Sequence, residues 1–313
     1  MPAAARVDPA TIFSPEEWAS LNRRSAWIGP ALVAHCWLVI FAAAAMAVVW
    51  PLTLPLAVMI IGGRQLGLAI LMHDAAHRAL HPDPKINDLL GRWLCDPVLD
   101  RYRPYHLTHH RYAQQDEDPD LVLSAPFPIT RASLRRKIVR DLTGQTYFKQ
   151  RFSALAAPQK SGVPRAPWPR RIWAAVKDRR RTILGGVVFT AVLAPFGLWW
   201  AWLALWWLPS ATWLPLVTRL RNIAEHACIA RNEPDPMRQA RTTRAGFIER
   251  ALIAPYWVNY HCEHHMFMYL PCYRLPAAHR RLRAKGITGR MDVQEGYLTV
   301  LRLAAGKLER LAA

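Results

Sequence analysis

Residues 52–77 read LTLPLAVMIIGGRQLGLAILMHDAAH. From Leu52 to Leu71 the only charged side chain is Arg64, and a run of about 20 apolar residues is what a helix needs to cross a bilayer. His73 and His77 follow at once, four positions apart, so on a continuing helix they lie one turn apart on the same face. The stretch therefore predicts a membrane helix that delivers two imidazoles to the membrane boundary. Upstream, Trp27 to Val49 carries no charged side chain and is also of spanning length. Only Trp50-Pro51-Leu52-Thr53 separates the two runs, which leaves room for a tight reversal and predicts an antiparallel hairpin over residues 27–72.

A second hairpin is expected over residues 182–218. Thr182 to Thr218 holds 37 residues without Asp, Glu, Lys or Arg, nearly twice one span, with Pro195, Gly197 and Pro209 available for the turn. The remaining residues fall into an N-terminal segment (1–26), a long polar segment (73–181) and a tail (219–313). We expect one all-α integral-membrane domain of about four transmembrane helices, its two hairpins carrying a helical cytoplasmic cap. Within residues 1–26, Ser14-Pro15-Glu16-Glu17 predicts a short helix with a serine cap, proline in its first turn and acids beside the positive end of its dipole. Met1 to Ser25 lacks the layout of a cleaved signal peptide. Pro158–Pro169 reads as a linker.

Charge supplies the orientation. Between Arg131 and Arg181 stand 15 Lys or Arg against Asp141 and Asp178, which is +13 of the chain's +19, and neither hairpin turn is charged. The positive-inside rule then places both termini and the long middle segment in the cytoplasm, with the chain multi-pass in an inner or plasma membrane. Anionic headgroups account for the basic surplus at about 1 kcal/mol per residue near the surface. Nucleic acid is excluded as a partner, because the tryptophans from Trp199 to Trp213 sit inside an apolar run and not on a basic surface. Five cysteines without paired spacing suit a reducing compartment.

Two further boxes lie on the same expected side: His106, His109 and His110 in HLTHH, and His261, His264 and His265 in HCEHH. With 12 histidines in 313 residues, chance gives roughly 0.02 HxxHH patterns per chain, yet two occur, which favours a metal site. Neutral imidazole is the commonest protein ligand for metals, and eight are too many for one ion. Structural zinc sites recruit thiolates in CxxC pairs, which this chain lacks, so two metals are expected, and iron, copper, nickel and zinc all remain open. Each box is expected to aim its imidazoles at one point. Where the second hairpin ends, Asn222 and His226 stand one turn apart, making His226 a ninth candidate ligand and Asn222 a candidate through a water.

This set of motifs resembles the integral-membrane fatty acid desaturase superfamily. The likeness rests on HDAAH at 73–77, HLTHH at 106–110 followed by Glu117-Asp118-Pro119-Asp120, NYHCEHH at 259–265 leading into Leu270-Pro271, the NxxxH of Asn222 and His226, and the two hairpins. It implies two non-haem irons, with His73, His77, His106, His109, His110, His226, His261, His264 and His265 as catalytic metal ligands. It also implies dioxygen as co-substrate and removal of hydrogen from an unactivated C–H bond of a fatty-acyl or other lipid chain. Hydroxylases and ketolases, carotenoid ketolases among them, resemble desaturases in these boxes. A noncatalytic membrane metal-binding or transport protein is the alternative outside the superfamily, disfavoured because the boxes cluster at one boundary and not at the midplane.

Asp74, Asp118, Asp120, Glu225 and Glu263 are the acids nearest the boxes and are expected to orient the imidazoles through their second nitrogens. Arg64 is expected to meet a lipid headgroup or an acidic partner. His35 is expected to be a packed polar residue, and His81 and His279 surface residues. Cys262 is expected to point away from the metals. No strand followed by GxGxxG and no HPGG haem motif is present, so electrons are expected from a partner of ferredoxin or cytochrome type with its reductase, steered by the basic face.

Overall fold

The computed structural model describes residues 6–96, 98–156 and 167–306. Residues 158–166 of the expected linker therefore lie outside the described residues. Helix α1 (Pro15–Asn22) starts at Ser14, whose Oγ accepts from the Glu17 amide at 3.2 Å while Glu17 Oε2 accepts from the Ser14 amide at 2.9 Å. This capping box satisfies two otherwise unpaired amides.

Helices α2 (Ile28–Val49) and α3 (Leu54–Ala76) form the expected hairpin. Its reversal is held by Thr53 Oγ1, which donates to Met46 O at 3.2 Å and Trp50 O at 2.7 Å. Along α2 the residues Val33, Cys36, Ile40, Ala43 and Ala47 are buried at spacings of three and four, as one core-facing stripe requires. Leu38, Phe41 and Val49 are exposed on its other side. By contrast α3 is buried almost all round from Ile61 to Ala76 and is the central post of the molecule. Arg64 is buried, its Nη2 donating to Ala251 O at 2.6 Å and its guanidinium 5.5 Å from the Tyr256 ring centroid, and no acid pairs with it among the described residues. A backbone carbonyl and an aromatic face offset part of the cost of burying that charge.

Next come α4 (Leu99–Arg111), α5 (Arg131–Leu142), α6 (Gln145–Ala156) and α7 (Trp168–Leu193). Helix α7 starts in the basic segment and runs on into the apolar stretch expected from Thr182. The chain reverses at Ala194–Phe196 and Gly197, whose φ of 73° is the left-handed conformation glycine adopts freely. The return is broken by a π-helical turn at Leu203–Trp207 and a kink at Thr212 before α8 (Trp213–His226). Pro209 and Pro215 lack the amide proton that a continuous helix needs. Consequently only Ile28–Val49 and Pro51–Ala76 are helices long and apolar enough to span a bilayer among the described residues, and Thr182–Phe196 is a shorter apolar helix. The expected four-span topology is thus only partly realised. Helix α8 still packs closely on α3, since a Cβ at Gly62 would lie 2.8 Å from the Trp213 Cβ, and this approach carries His226 toward the end of α3.

The tail adds what helical periodicity did not foresee, a two-stranded parallel sheet of β1 (Arg241–Arg244) and β2 (Asp292–Glu295). Between the strands lie α9 (Phe247–Leu252), α10 (His261–Met266) and α11 (Leu275–Ala284), and α12 (Tyr297–Ala304) follows β2. Asn259 fastens the approach to α10 onto the sheet: its carbonyl accepts from the Thr243 amide at 3.0 Å and its Nδ2 donates to Thr243 O at 3.0 Å. Tyr256 and Trp257 have φ of 52° and 59°, an uncommon conformation for bulky residues. The packing around Tyr256, whose hydroxyl is 3.1 Å from His35 Nδ1 and donates to Leu32 O at 3.2 Å, holds the turn. His35 is thereby paired with Tyr256 and stands apart from the histidine boxes, although it is exposed and not packed as expected.

Candidate metal centre

The last turn of α3 carries His73 and ends at His77, α4 carries His106, His109 and His110, α8 ends at His226, and α10 carries His261, His264 and His265. These nine imidazoles meet as two groups. His73, His77, His106, His110 and His264 form one, and His109, His226, His261 and His265 the other; within each, the potential ligand atoms all lie within 4.8 Å of one another.

The division corrects the expectation that a box aims at one point. On a helix, residues four apart differ by about 40° and residues three apart by about 60° in the opposite sense. The pairs His106/His110 and His261/His265 therefore converge, whereas His109 and His264 swing across to the neighbouring group. Each HxxHH box thus serves both groups, and HDAAH serves one.

The donor set fits metal ions. In the first group His110 Nε2 lies 3.0 Å from both His106 Nε2 and His264 Nε2. In the second, His261 Nε2 lies 2.9 Å from His226 Nε2 and 3.1 Å from His265 Nε2, and His109 Nε2 lies 3.3 Å from His265 Nε2. Ligands bonded at about 2.1 Å to one ion stand about 3.0–3.4 Å apart for angles between octahedral and tetrahedral. Imidazoles cannot satisfy each other so densely, because each neutral ring has a single N–H. Both ring nitrogens of His73 and His77 are buried without a hydrogen-bond partner, a costly condition that a bound cation would relieve.

Burial, followed by the neighbouring rings and cations, holds His106, His110, His226, His261, His264 and His265 well below the usual imidazole range. They are neutral at physiological pH, the form in which an imidazole can donate a lone pair. In the unfolded chain these rings protonate near 6.5, so below that pH the unfolded state binds more protons than the folded one. Metal-free protein is therefore expected to lose stability as pH falls from 7 to 5. Thermal unfolding of chelator-stripped protein across that window checks this, and a pH-independent midpoint would contradict it.

Of the five acids, Asp118 makes the closest contact with a ring of either group. Its Oδ1 lies 2.8 Å from His109 Nδ1 and accepts from the Asp120 amide at 2.8 Å, while Oδ2 accepts from the Gln114 amide at 2.9 Å. Asp120 Oδ2 stands farther from His109 Nδ1, at 3.8 Å. Asp74 serves mainly as a brace, with Oδ2 accepting from the Cys272 amide at 2.8 Å and Oδ1 3.7 Å from His73 Nδ1. Glu225 Oε1 accepts from Arg221 Nε at 2.6 Å and Oε2 lies 3.4 Å from His261 Nε2; burial pushes this carboxyl up while Arg221 opposes it.

Glu263 departs from expectation. It is fully buried on the side of α10 away from both groups, 2.5 Å from His279 Nδ1 and bonded by Thr242 Oγ1. Hence His279 is no surface residue, and neither is His81, which is buried with its Nδ1 accepting from the Asp83 amide at 3.0 Å. Cys262 points away as expected, its Sγ donating to Met237 O at 3.1 Å.

Three neighbours escaped the sequence reading. Tyr102 lies nearly parallel to the His106 ring at 4.9 Å and 13°, and Arg221 anchors Glu225; both stand four residues before their partners, a spacing that was readable. Gln114 Nε2, 3.3 Å from His226 Nδ1, comes from a distant stretch and left no such signal. Beside the second group lies a cavity of about 40 Å³, bordered by Tyr102, Ser124, Asn222, Glu225, His226 and His261 among others, room for a water or two. A larger apolar groove of about 650 Å³ runs between α2 and α7, lined by Trp37, Phe41, Phe189 and Trp202 among others and by none of the nine histidines.

Comparison with known proteins gives the same direction. The chain is 25% identical over 268 residues to the dihydrorhizobitoxine desaturase of Bradyrhizobium elkanii, covering 80% of this chain and 72% of that protein. It is 26% identical over 237 residues to a β-carotene ketolase of Paracoccus sp. (strain N81106 / MBIC 01143), covering 71% and 76% respectively. It is also 26% identical over 267 residues to a β-carotene ketolase of Paracoccus sp. (strain PC1), covering 79% and 88%. Residues 48–291 match the fatty acid desaturase family model. That match spans the second long apolar helix and all nine clustered histidines, and the chain belongs to the fatty acid desaturase family.

Proposed function

We propose that the chain is a membrane-bound non-haem diiron oxidoreductase that uses dioxygen and external electrons to desaturate a fatty-acyl chain, with its active site and termini on the cytoplasmic side. The observation that carries this reading is the pair of adjoining groups, five imidazoles and four, built from four separate segments. Two irons bound there would supply the reducing power that activates dioxygen for C–H cleavage. Neutral rings hold them without fixing charge, and four or five protein donors per ion leave positions open.

The chain's own residues do the positioning. Asp118 fixes the ring of His109 and thereby which nitrogen faces the ion. The buried site keeps bulk water away from the reacting centre, while Asn222 borders the small cavity beside the second group, where it suits a ligand through water. The apolar groove between α2 and α7 and the exposed apolar faces fit a substrate that arrives from the bilayer. Electrons would come from a ferredoxin- or cytochrome-type partner attracted by the basic cytoplasmic segment.

Ketolation of a cyclic isoprenoid is the second reading, favoured by the two β-carotene ketolases among the relatives. Reduced, iron-loaded protein incubated with acyl lipids and with carotenoids under isotopically labelled dioxygen separates the two. Desaturation removes two hydrogens and leaves no label in the product, whereas ketolation replaces two hydrogens by one labelled oxygen. Absence of either product in the presence of competent electron donors and two bound irons would contradict both readings.

A further inference from the structure

We propose that Arg78, Arg111 and Tyr269, together with the partly exposed His265, form the surface on which an acidic one-electron carrier protein docks to deliver electrons to the histidine site. The proposal deepens the diiron reading and rests on it. Of the nine clustered histidines, seven are buried, and His226 and His265 are the two that are not. His226 borders the small cavity beside Asn222, whereas His265 is not part of its lining. The site therefore has a second approach, at His265. The His265 ring stacks on that of His110 at 4.3 Å, and His110 is followed at once by Arg111, the last residue of α4. Likewise α3 gives way to His77 and then Arg78. Four residues beyond His265, the Tyr269 ring is half exposed and meets the His77 ring edge-on, with centroids 6.4 Å apart.

Arg78 and Arg111 are both exposed, and neither is ion-paired among the described residues. The acids that follow α4 are already engaged: Asp116 pairs with Arg231, Glu117 has a partner, and Asp118 accepts from the amides of Gln114 and Asp120. The patch thus presents free positive charge around an aromatic ring, the combination enriched in interface cores, and its charge is complementary to an acidic carrier. Redox encounters bury less than about 1,200 Å², so a compact surface suffices. Arginine at a helix C-terminus also complements the helix dipole, but that role would leave electron delivery unaffected. The surplus between Arg131 and Arg181 can steer a carrier from a distance, yet none of the nine histidines comes from that segment. Each docking event oxidises one carrier by one electron and reduces one ferric ion to ferrous, with no bond made or broken, so two carriers in succession reduce the pair.

Full-length protein in lipid nanodiscs, loaded with two irons and mixed with a photoreduced acidic 2Fe–2S ferredoxin, tests this by stopped-flow spectroscopy. The double variant Arg78→Glu, Arg111→Glu should slow reduction by about tenfold or more at low ionic strength, and the gap should close at high salt. Tyr269→Ala should slow it by about fivefold at either salt. Dithionite at high salt needs no docking and should reduce every variant at the wild-type rate. Ferredoxin binding to iron-stripped protein, measured by biolayer interferometry, should weaken by the same factors, because the patch is present without metal. Wild-type binding and reduction in both patch variants would overturn the proposal. So would an equal loss with dithionite, which would place the damage at the site itself, or a larger loss from Arg135→Glu with Arg136→Glu, which would move docking to the basic segment. Wild type that binds no iron would instead overturn the diiron reading beneath, a distinct result.

Discussion

His109→Ala and His110→Ala, neighbours in the chain, should each reduce the protein to about one iron and yet empty different sites. His110 belongs with His73, His77, His106 and His264, and His109 with His226, His261 and His265. Adjacent residues on α4 point about 100° apart, which is what sends them to different ions. Deleting an outer partner of a metal site typically costs 10–100-fold in affinity or activity, and deleting a ligand outright should exceed that and bring turnover to background. Mössbauer spectra of the two variants should therefore be complementary, each retaining the doublet that the other lacks. Two variants losing the same doublet would show that α4 does not straddle the ions. Both side chains are buried, so the iron that remains also reports that the fold survives.

Asp118→Ala should carry the next largest effect. It removes the oxygen 2.8 Å from His109 Nδ1 and at the same time strips the acceptors from the amides of Gln114 and Asp120. The Gln114 amide is in a buried residue, and an unsatisfied buried donor costs about 1–3 kcal/mol. The freed His109 ring should weaken the second ion by about 10–100-fold while the first ion stays bound. Asp118→Asn, which keeps one acceptor oxygen where the two amides use two, should restore part of the stability and less of the affinity. Paired thermal-unfolding and iron-titration measurements check that split, and equal loss of both ions would argue that Asp118 acts only through the fold.

The hairpin and the site were legible because their signals are local. Runs of spanning length, broken only by Arg64 in the second, predicted α2 and α3, and the one-turn spacing of His73 and His77 put both rings on one face. Ser14 with Glu17 announced the cap of α1. The second hairpin's reversal falls at Ala194–Gly197, within the charge-free stretch, but absence of charge measures apolarity and not continuity, so the breaks in the return at Leu203–Trp207 and Thr212 were not foreseen.

Spacing also showed which histidines would gather without showing how they divide. The split of HLTHH and HCEHH depends on where α10 stands against α4, and that is set by the Asn259–Thr243 pairing and the strained turn at Tyr256 and Trp257. Partners across long sequence separations were beyond reach for the same reason. His279 looked like part of a basic surface helix, yet it is the buried partner of Glu263, and Arg64 finds its acceptor 187 residues away.

Anomalous scattering at the iron edge from crystals of the loaded protein tests the central claim most directly. Two peaks are predicted, one within bonding distance of His73, His77, His106, His110 and His264, the other of His109, His226, His261 and His265. A single peak serving both groups, or iron bound away from these rings, would contradict the account.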